Sequence, residues 1–569
     1  MPAFSKKLSD PPWVLGISAS HNGAVCLLRG DRVVAAVQEE RLSGVKRHFL
    51  YAAEPSLALG YCLSYAGIRP EDLDLIVLSA VGRANDPRQD LGRNPLLKSA
   101  LAHVPVLKVP HHYAHAVSAF ATSGFGESAV LVVDGMGSPF EALTEEERDA
   151  VKKKVDDGFE TISLYAAEGT RVEPLEKHLV ERGRWLSLRR GAMPLFGSLG
   201  GIFSSAAGQI FANPAEAGKV MGLAPYGVAR TPTEEFFRID EGGCFDFLED
   251  VPRRFEHDER WPARREEYAD LACSVQAALE DALLHLAARL RSLCGSENLC
   301  YAGGVALNSV ANERLVRESG FRRVHIVPAA EDSGVALGAA YAGLWQLTKT
   351  NTRRRLIHDA CGRTYTPACV SSAVEQEPRV RASASSDAIA DAVELLCAGK
   401  TVGWFDGRSE LGPRALGQRS ILCDPRRPDG KEVLNSRVKR REAFRPFAPA
   451  VLLEEVEDWF ELEGAAPESP FMLRVCRFRP ERAALVPAVS HVDGTGRLQT
   501  LTKEANGRFY ELVKRFYEKT GVPMLLNTSF NVMGRPIVET PAQAVACLVD
   551  SGLDCCVFED RVVFRHVEW

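Results

Sequence analysis

The chain reads as an α/β protein of at least two domains, and three observations carry that reading. Its 569 residues are more than a single hydrophobic core organises. Hydrophobic residues make up 46% and charged residues 25%, the balance of a globular chain rather than a disordered or fibrous one. Short apolar runs, several ending in Gly- or Asp-containing turns, alternate with longer helical patterns, and strands that feed helices in this way indicate an α/β domain.

In "WVLGISASHNGAVCLLRGDRVVAAVQEER" (13–41) the runs VLGI, AVCLL and VVAAV predict three strands, with RGDR as a hairpin turn. Residues 55–67 predict an amphipathic helix and "LDLIVLS" (73–79) a buried strand. "VPVLKVP" predicts a short strand leading into a helix that opens with "HHYAHA" (111–116). "AVLVVDGMGS" (129–138) predicts a strand closed by a tight Asp-Gly turn. From about 139 to 190 the chain is charged and irregular, including "TEEERDAVKKKVDDG", and predicts a surface insertion. Small residues over 196–227 permit close backbone approach. A helix over roughly 269–293 precedes two strand–turn–helix units, "LCYAGGVALNSVANERL" and "VHIVPAAEDSGVALGAAYAGL". No internal repeat is evident. Residues 346–386 lack periodicity and read as an interdomain segment, dividing the chain into domains 1–345 and 387–569.

A net charge of −6 offers no electrostatic case for a nucleic-acid or anionic-membrane partner. The opening "MPAFSKKLSDPPW" has no apolar signal core, and no uninterrupted apolar run is long enough to span a bilayer. Fourteen cysteines are scattered without a CxxC pair. These features lead us to expect a soluble protein of the reducing cytoplasm, with no zinc ribbon.

Two groups of residues carry chemistry. His111 and His115, four apart, share one face of a helix. Asp134 ends an apolar strand, and Asp332 holds a similar position in "PAAEDSGVALG". Two imidazoles and two carboxylates suit Fe(II), Mn(II) or Zn(II) and leave coordination positions open. From spacing alone the plainer reading leads, in which the histidines are ordinary core or surface residues and the aspartates form turns. Glycine turns in "SHNGAV", "DGMG" and "AGGVALN" suit a phosphate-bearing ligand, although neither a P-loop nor a dinucleotide fingerprint is present. The second domain concentrates Arg408, Arg414, Arg419, Arg437, Lys439 and Arg445, with Arg497 further on. Their neighbours, "LGPRALGQRS" and "FRPFAPA", are apolar or turn-forming, which fits an anion pocket better than a solvated charge run. "LNTSFN" adds amide and hydroxyl groups at a strand end.

In series, "VLGISASHNGAV", "HHYAHAVSAF", "GKVMGLAPYG", "AGGVALN", "ELGPRALGQRS", "FRPFAPA" and "LNTSFNVMGRPIV" closely resemble the O-carbamoyltransferases of the NodU/CmcH/TobZ type, which decorate antibiotics and nodulation factors. The resemblance implies an ASKHA-type (actin/Hsp70-like) N-terminal domain and a C-terminal YrdC-like α/β domain. It implies that the YrdC-like domain makes carbamoyl-adenylate from ATP, with Mg(II), and carbamoyl phosphate. Arg414, Lys439, Arg445, Arg497, Asn527 and Ser529 fall on the family's phosphate- and nucleotide-binding positions. The ASKHA-type domain would then transfer the carbamoyl group to a hydroxyl of a small-molecule acceptor, with Fe(II) or Mn(II) held by His111, His115, Asp134 and Asp332. Lys46 matches a basic position near the intermediate, and Gly304 and Asn308 belong to the adenosine-side loop. His21 is the expected general base, with His112 the weaker alternative. Asn22 stands where the family often has Asp, which removes one source of carboxylate assistance to His21. The alternatives are a tRNA threonylcarbamoylation-type enzyme, which needs a basic surface, and a nucleotide-gated ASKHA protein without transfer chemistry.

Overall fold

Strands that are apolar on both faces must be covered on both faces, and the first half of the chain is built from such strands. The computed structural model describes residues 9–81, 86–153, 158–181, 185–186, 195–248, 259–350 and 354–566. Its contacts divide into two compact units, Met1–Ala36 with Phe49–Leu356, and Val37–His48 with Ile357–Trp569. In the first unit, β1 (Trp13–Ala19), β2 (Ala24–Arg29), β3 (Arg32–Gln38), β4 (Leu75–Ala80) and β5 (Val106–Lys108) form one sheet in the order β3-β2-β1-β4-β5. A second sheet holds β6 (Glu127–Val133), β7 (Gly158–Glu168), β8 (Arg171–Glu181), β9 (Asn298–Ala302) and β10 (Arg323–Ile326), in the order β10-β9-β6-β7-β8.

The two sheets share one topology. In each, the first strand pairs antiparallel with the second and parallel with the fourth, the third lies beyond the second, and the fifth runs parallel beside the fourth. The internal repeat that sequence reading did not find is therefore present in the backbone. It is masked because residues 20–23 join the first two strands of one sheet, whereas residues 134–157 join those of the other. This doubled sheet is the arrangement that an ASKHA-type domain requires.

The expected surface insertion over 139–190 is corrected by the same sheet. β7 and β8 fall inside that range, and Glu147, Glu160 and Lys177 are buried. Charge misled here because the charges meet one another internally: Lys177 Nζ lies 2.6 Å from Glu160 Oε2 and 3.0 Å from Glu147 Oε1. Residues 154–157, 182–184 and 187–190 of that stretch lie outside the described residues, as do residues 1–8 of the N-terminal extension.

Helices cover these sheets. α1 (Leu57–Ala66) packs on β2, and α2 (His111–Ser123) lies against α6 (Ser333–Thr348). α3 (Leu199–Phe211) and α5 (Ser309–Glu318) pack on the long α4 (Arg265–Leu293). Among the described residues, α4 is the one helix long and apolar enough to cross a membrane by length and composition, but 61% of that apolar window is buried inside the protein. Gly338 of α6 lets the two helices meet: a Cβ there would stand 1.8 Å from the Ala114 carbonyl oxygen on α2.

The second unit is organised by a ten-stranded sheet. Its strands are β11 (Val380–Ala384), β12 (Val402–Phe405), β13 (Arg419–Cys423), β14 (Ala448–Leu452), β15 (Phe460–Glu461), β16 (Arg474–Phe478), β17 (Thr495–Leu501), β18 (Met524–Ser529), β19 (Cys555–Val557) and β20 (Arg561–Arg565). They lie in the order β11-β20-β19-β12-β13-β18-β14-β17-β16-β15. Residues 357–386, read from sequence as part of a linker, supply α7 (Pro367–Glu375) and β11, which pairs with β20. β11 escaped detection because it is an edge strand with four of its five residues exposed, and its small residues form no bulky apolar run.

A Gly→Ala change inside a helix ordinarily stabilises it. Gly338→Ala should do the reverse, costing about 1–3 kcal/mol through overpacking against α2. Urea denaturation followed by tryptophan fluorescence checks the sign, and a stabilised variant would contradict the packing described here.

Candidate active site

The first cluster is set by the ends of β6 and α2. Val130–Val133 are buried, so the chain emerges from the core at Asp134. Gly135 N–H at 2.7 Å and Gly304 N–H at 3.2 Å both donate to Asp134 Oδ1. That leaves Oδ2 facing the histidines. The approach of Gly304 depends on Gly303, whose φ is +96° and where a Cβ would stand 2.1 Å from the Val133 carbonyl oxygen. On α2, His111 Nε2 lies 3.4 Å from both Asp134 Oδ2 and Asp332 Oδ1. His115 Nε2 lies 3.5 Å from Asp134 Oδ2 and 3.9 Å from Asp332 Oδ1. One potential ligand atom from each of the four residues falls within 4.8 Å of the others.

All four residues are buried. None of these approaches has hydrogen-bond geometry, so His111 Nε2, His115 Nε2 and Asp134 Oδ2 are buried without a hydrogen-bond partner. Buried polar atoms left in this state are costly unless something else engages them. The electrostatics agree. Burial alone would lower the His111 imidazolium's pKa, but Asp332 and Asp134 override it and raise it to about 10. Burial likewise opposes ionisation of Asp134, yet His111 and His115 hold its carboxyl well below the usual range. Asp332 is held low against burial by His21 and His111. Two ionised carboxylates and two imidazoles within one ion's reach fit a divalent transition metal.

His21 and His112 part company. His21 Nδ1 approaches Asp332 Oδ2 at 3.2 Å, and its side chain is 59% exposed. Carboxylate support for His21, which Asn22 does not offer, is thus available from Asp332. His112 turns away from the cluster, its Nδ1 2.8 Å from Ser163 Oγ, and burial holds its pKa down to about 3.

The second unit gathers cations. Arg414, Arg441 and Arg497 are half-buried, with Arg445 acting on each. Burial first, and then Arg445, lowers the Arg414 pKa to about 10 and that of Arg441 to about 9. Arg497 is pushed well down by burial and by Arg414, Arg441 and Arg445, and its Nε has no hydrogen-bond partner. The nearby carboxylate, Glu442, is 3.8 Å from Arg445. Guanidinium groups crowded in this way call for an anion. Asn527 and Ser529 lie on β18. Asn527 Nδ2 donates to the Ala415 carbonyl at 3.1 Å and to Gln499 Oε1 at 2.8 Å, while Gln499 Nε2 donates to the Leu416 carbonyl at 2.8 Å. Asn527 therefore pins the turn that carries Arg414. Lys439 ends a π-helical turn, Leu434–Lys439, and its ammonium donates to the Ser529 carbonyl, to Ser529 Oγ at 3.2 Å and to Asn531 Oδ1 at 2.8 Å.

Comparison with known proteins supplies the family. A model described as carbamoyltransferase N-terminus matches residues 13–90 and 90–341, and one described as carbamoyltransferase C-terminus matches 393–565. The chain belongs to the carbamoyltransferase family. The nodulation protein NolNO of Sinorhizobium fredii (strain NBRC 101917 / NGR234) is 35% identical over 96% of this chain and 79% of its own length. Nodulation protein U of Bradyrhizobium diazoefficiens is 28% identical over 94% of each. Among solved structures, T. kodakarensis HypF is a distant likeness, with 18% identity, a TM-score of 0.39, and coverage of 59% of this chain and 48% of its own.

Other expected residues of the carbamoyltransferase have partners within the fold. Lys46 was expected with the first domain, beside the intermediate; residues 37–48 pack instead with the second unit, where the Lys46 charge acts on Lys439. Asn308 caps α5, accepting from Ala311 N–H at 3.1 Å, and pairs with Gln276. Arg408 donates to the carbonyls of Cys361 and Gly362. Arg419 stacks 3.6 Å over Phe405 and donates to the carbonyls of Asp406 and Gly407, so both arginines serve the backbone. Arg441 and Gln499 were missed from sequence. Arg441 hides in the run "VKRRE", which looks like solvated charge.

Calorimetric titration of the metal-free carbamoyltransferase with Mn(II) should show one site per chain, weakened at least about 100-fold by His111→Ala or Asp134→Asn. Because the His111 imidazolium, with its pKa raised to about 10, must lose its proton to bind, affinity should rise with pH between 6 and 9. A pH-independent affinity would contradict that linkage.

Proposed function

We propose that this carbamoyltransferase makes carbamoyl-adenylate in its second unit and transfers the carbamoyl group to a hydroxyl of a small-molecule acceptor in its first. In the second unit one water hydrolyses carbamoyl phosphate to carbamate and phosphate, and the carbamate oxygen attacks the α-phosphorus of ATP, displacing pyrophosphate. The observation that carries the reading is the half-buried cluster of Arg414, Arg441, Arg445 and Arg497. Four guanidinium groups gathered within electrostatic reach of one another suit anionic groups. Phosphoryl chemistry depends mainly on holding such groups in line and neutralising their charge. Lys439 shapes the Ser529–Asn531 loop beside these residues, and Asn527 with Gln499 holds the Arg414 turn.

For transfer, the acceptor oxygen attacks the carbamoyl carbon, its proton goes to His21, and AMP leaves. With Nδ1 directed at Asp332, Nε2 of the largely exposed His21 ring would be the atom that takes the proton. A divalent ion held by His111, His115, Asp134 and Asp332 would supply Lewis acidity toward the carbamoyl oxygen. The acceptor is a hydroxylated natural product of the kind the family modifies, and no nucleic-acid or membrane partner is needed.

Purified protein incubated with ATP, Mg(II) and carbamoyl phosphate, without acceptor, should form AMP-containing product and pyrophosphate, detected by mass spectrometry. Arg414→Ala and Arg497→Ala should abolish that product, whereas His111→Ala and His21→Ala should leave it intact. No adenylate under any metal condition, or loss of adenylate in His111→Ala with Arg414→Ala unaffected, would overturn the assignment of steps to units.

A further inference from the structure

The metal-cluster imidazoles lack the usual means of orientation. A ligating histidine ordinarily donates its second ring N–H to a carboxylate or carbonyl, which fixes the ring. Here His111 Nδ1 and His115 Nδ1 are buried with no hydrogen-bond partner among the described residues. The rings are therefore aimed by α2 itself, and a buried polar network fixes the start of that helix.

The first N–H groups of a helix have no intrahelical acceptor. His111 N–H donates to Ser138 Oγ at 2.8 Å, and His112 N–H donates to Glu160 Oε1 at 2.9 Å. Ser138 N–H donates to the same Glu160 oxygen at 3.0 Å, so one carboxylate on β7 governs both anchors. The other oxygen, Oε2, meets Lys177 Nζ at 2.6 Å. Lys177 also reaches Glu147 at 3.0 Å, Tyr165 OH at 2.8 Å and Ser163 Oγ at 3.1 Å. Glu160 and Lys177 are both 0% exposed. A salt bridge between groups this deep is poor evidence of stabilisation and better evidence of a specifying role.

We infer that Glu160, neutralised by Lys177, is a positioning residue of the metal centre, fixing the first turn of α2 and through it the aim of His111 and His115. The inference rests on reading the four-residue cluster as a metal site. Two near-matched variants separate positioning from bulk stability. Lys177 faces two carboxylates, so Glu160→Gln and Glu147→Gln each leave one balanced ion pair. Only Glu160→Gln disturbs α2: whichever way its amide lies, the NH2 end faces donors, either the Ser138 and His112 N–H groups or the Lys177 ammonium.

The test is Mn(II) affinity, with the Co(II) d–d absorption spectrum as reporter of ligand geometry, in the full chain. Glu160→Gln should bind Mn(II) about ten- to a hundredfold more weakly and shift the Co(II) bands, while Glu147→Gln stays within about twofold of the parent. Ser138→Ala, which removes the His111 anchor without touching the ion pair, should weaken binding in the same direction and decides the matter if Glu160→Gln fails to fold. Unchanged affinity and spectrum in Glu160→Gln and Ser138→Ala, or equal losses in Glu160→Gln and Glu147→Gln, would overturn the inference. Failure of the unsubstituted protein to bind Mn(II) or Co(II) is a distinct result, which overturns the metal reading and this inference with it.

Discussion

Two carboxylates, Asp134 and Asp332, are buried against the same pair of imidazoles, and the organisation of the first unit follows from keeping them there. Like charges about 4 Å apart repel by about 4 kcal/mol at an effective dielectric of 20. Burial alone would push both groups toward the protonated form. What holds them ionised is built into the backbone: Gly135 and Gly304 N–H groups on Asp134 Oδ1, and the histidine helix brought close by Gly338 of α6. Each device needs a strand end or helix start at a defined place. The doubled sheet supplies those places.

The second unit solves the opposite electrostatic problem. Arg414, Arg441, Arg445 and Arg497 repel one another in a half-buried setting, and Glu442 lies 3.8 Å from Arg445. The surrounding residues are rigid where these are strained. Asn527 and Gln499 tie the Arg414 turn to β18 and β17, and Lys439 is engaged by the Ser529–Asn531 loop. Carboxylates thus meet imidazoles in one unit and guanidinium groups gather in the other, so the two units carry clusters of opposite electrostatic character.

How much of this could be read from sequence depended on whether a residue's role shows in its immediate neighbours. His111 and His115 were legible because four-residue spacing maps directly onto one helix face, and Asp134 and Asp332 because they follow apolar runs. Glu160 and Lys177 were not, since a charged residue within a strand reads as solvent-facing and the partner that buries it lies across β7 and β8. Arg441 was lost among neighbouring charges for the same reason, while Arg408 and Arg419 looked like phosphate ligands because their backbone-carbonyl partners are distant or conformational. The repeated topology was hidden by unequal connections, although its strands were individually visible.

His21 shows how one carboxylate can serve two neighbours. Asp332 directs one oxygen toward His111 and His115 and the other toward His21. With Asn22 unable to act as a carboxylate, the ring that faces the solvent is oriented by a residue of the buried cluster. Anything that draws charge from Asp332 therefore weakens its hold on the His21 Nδ1 proton and makes Nε2 a poorer base. Basicity at the exposed histidine and charge at the buried cluster are coupled through a single side chain, so the two cannot be tuned independently by substitution at either end.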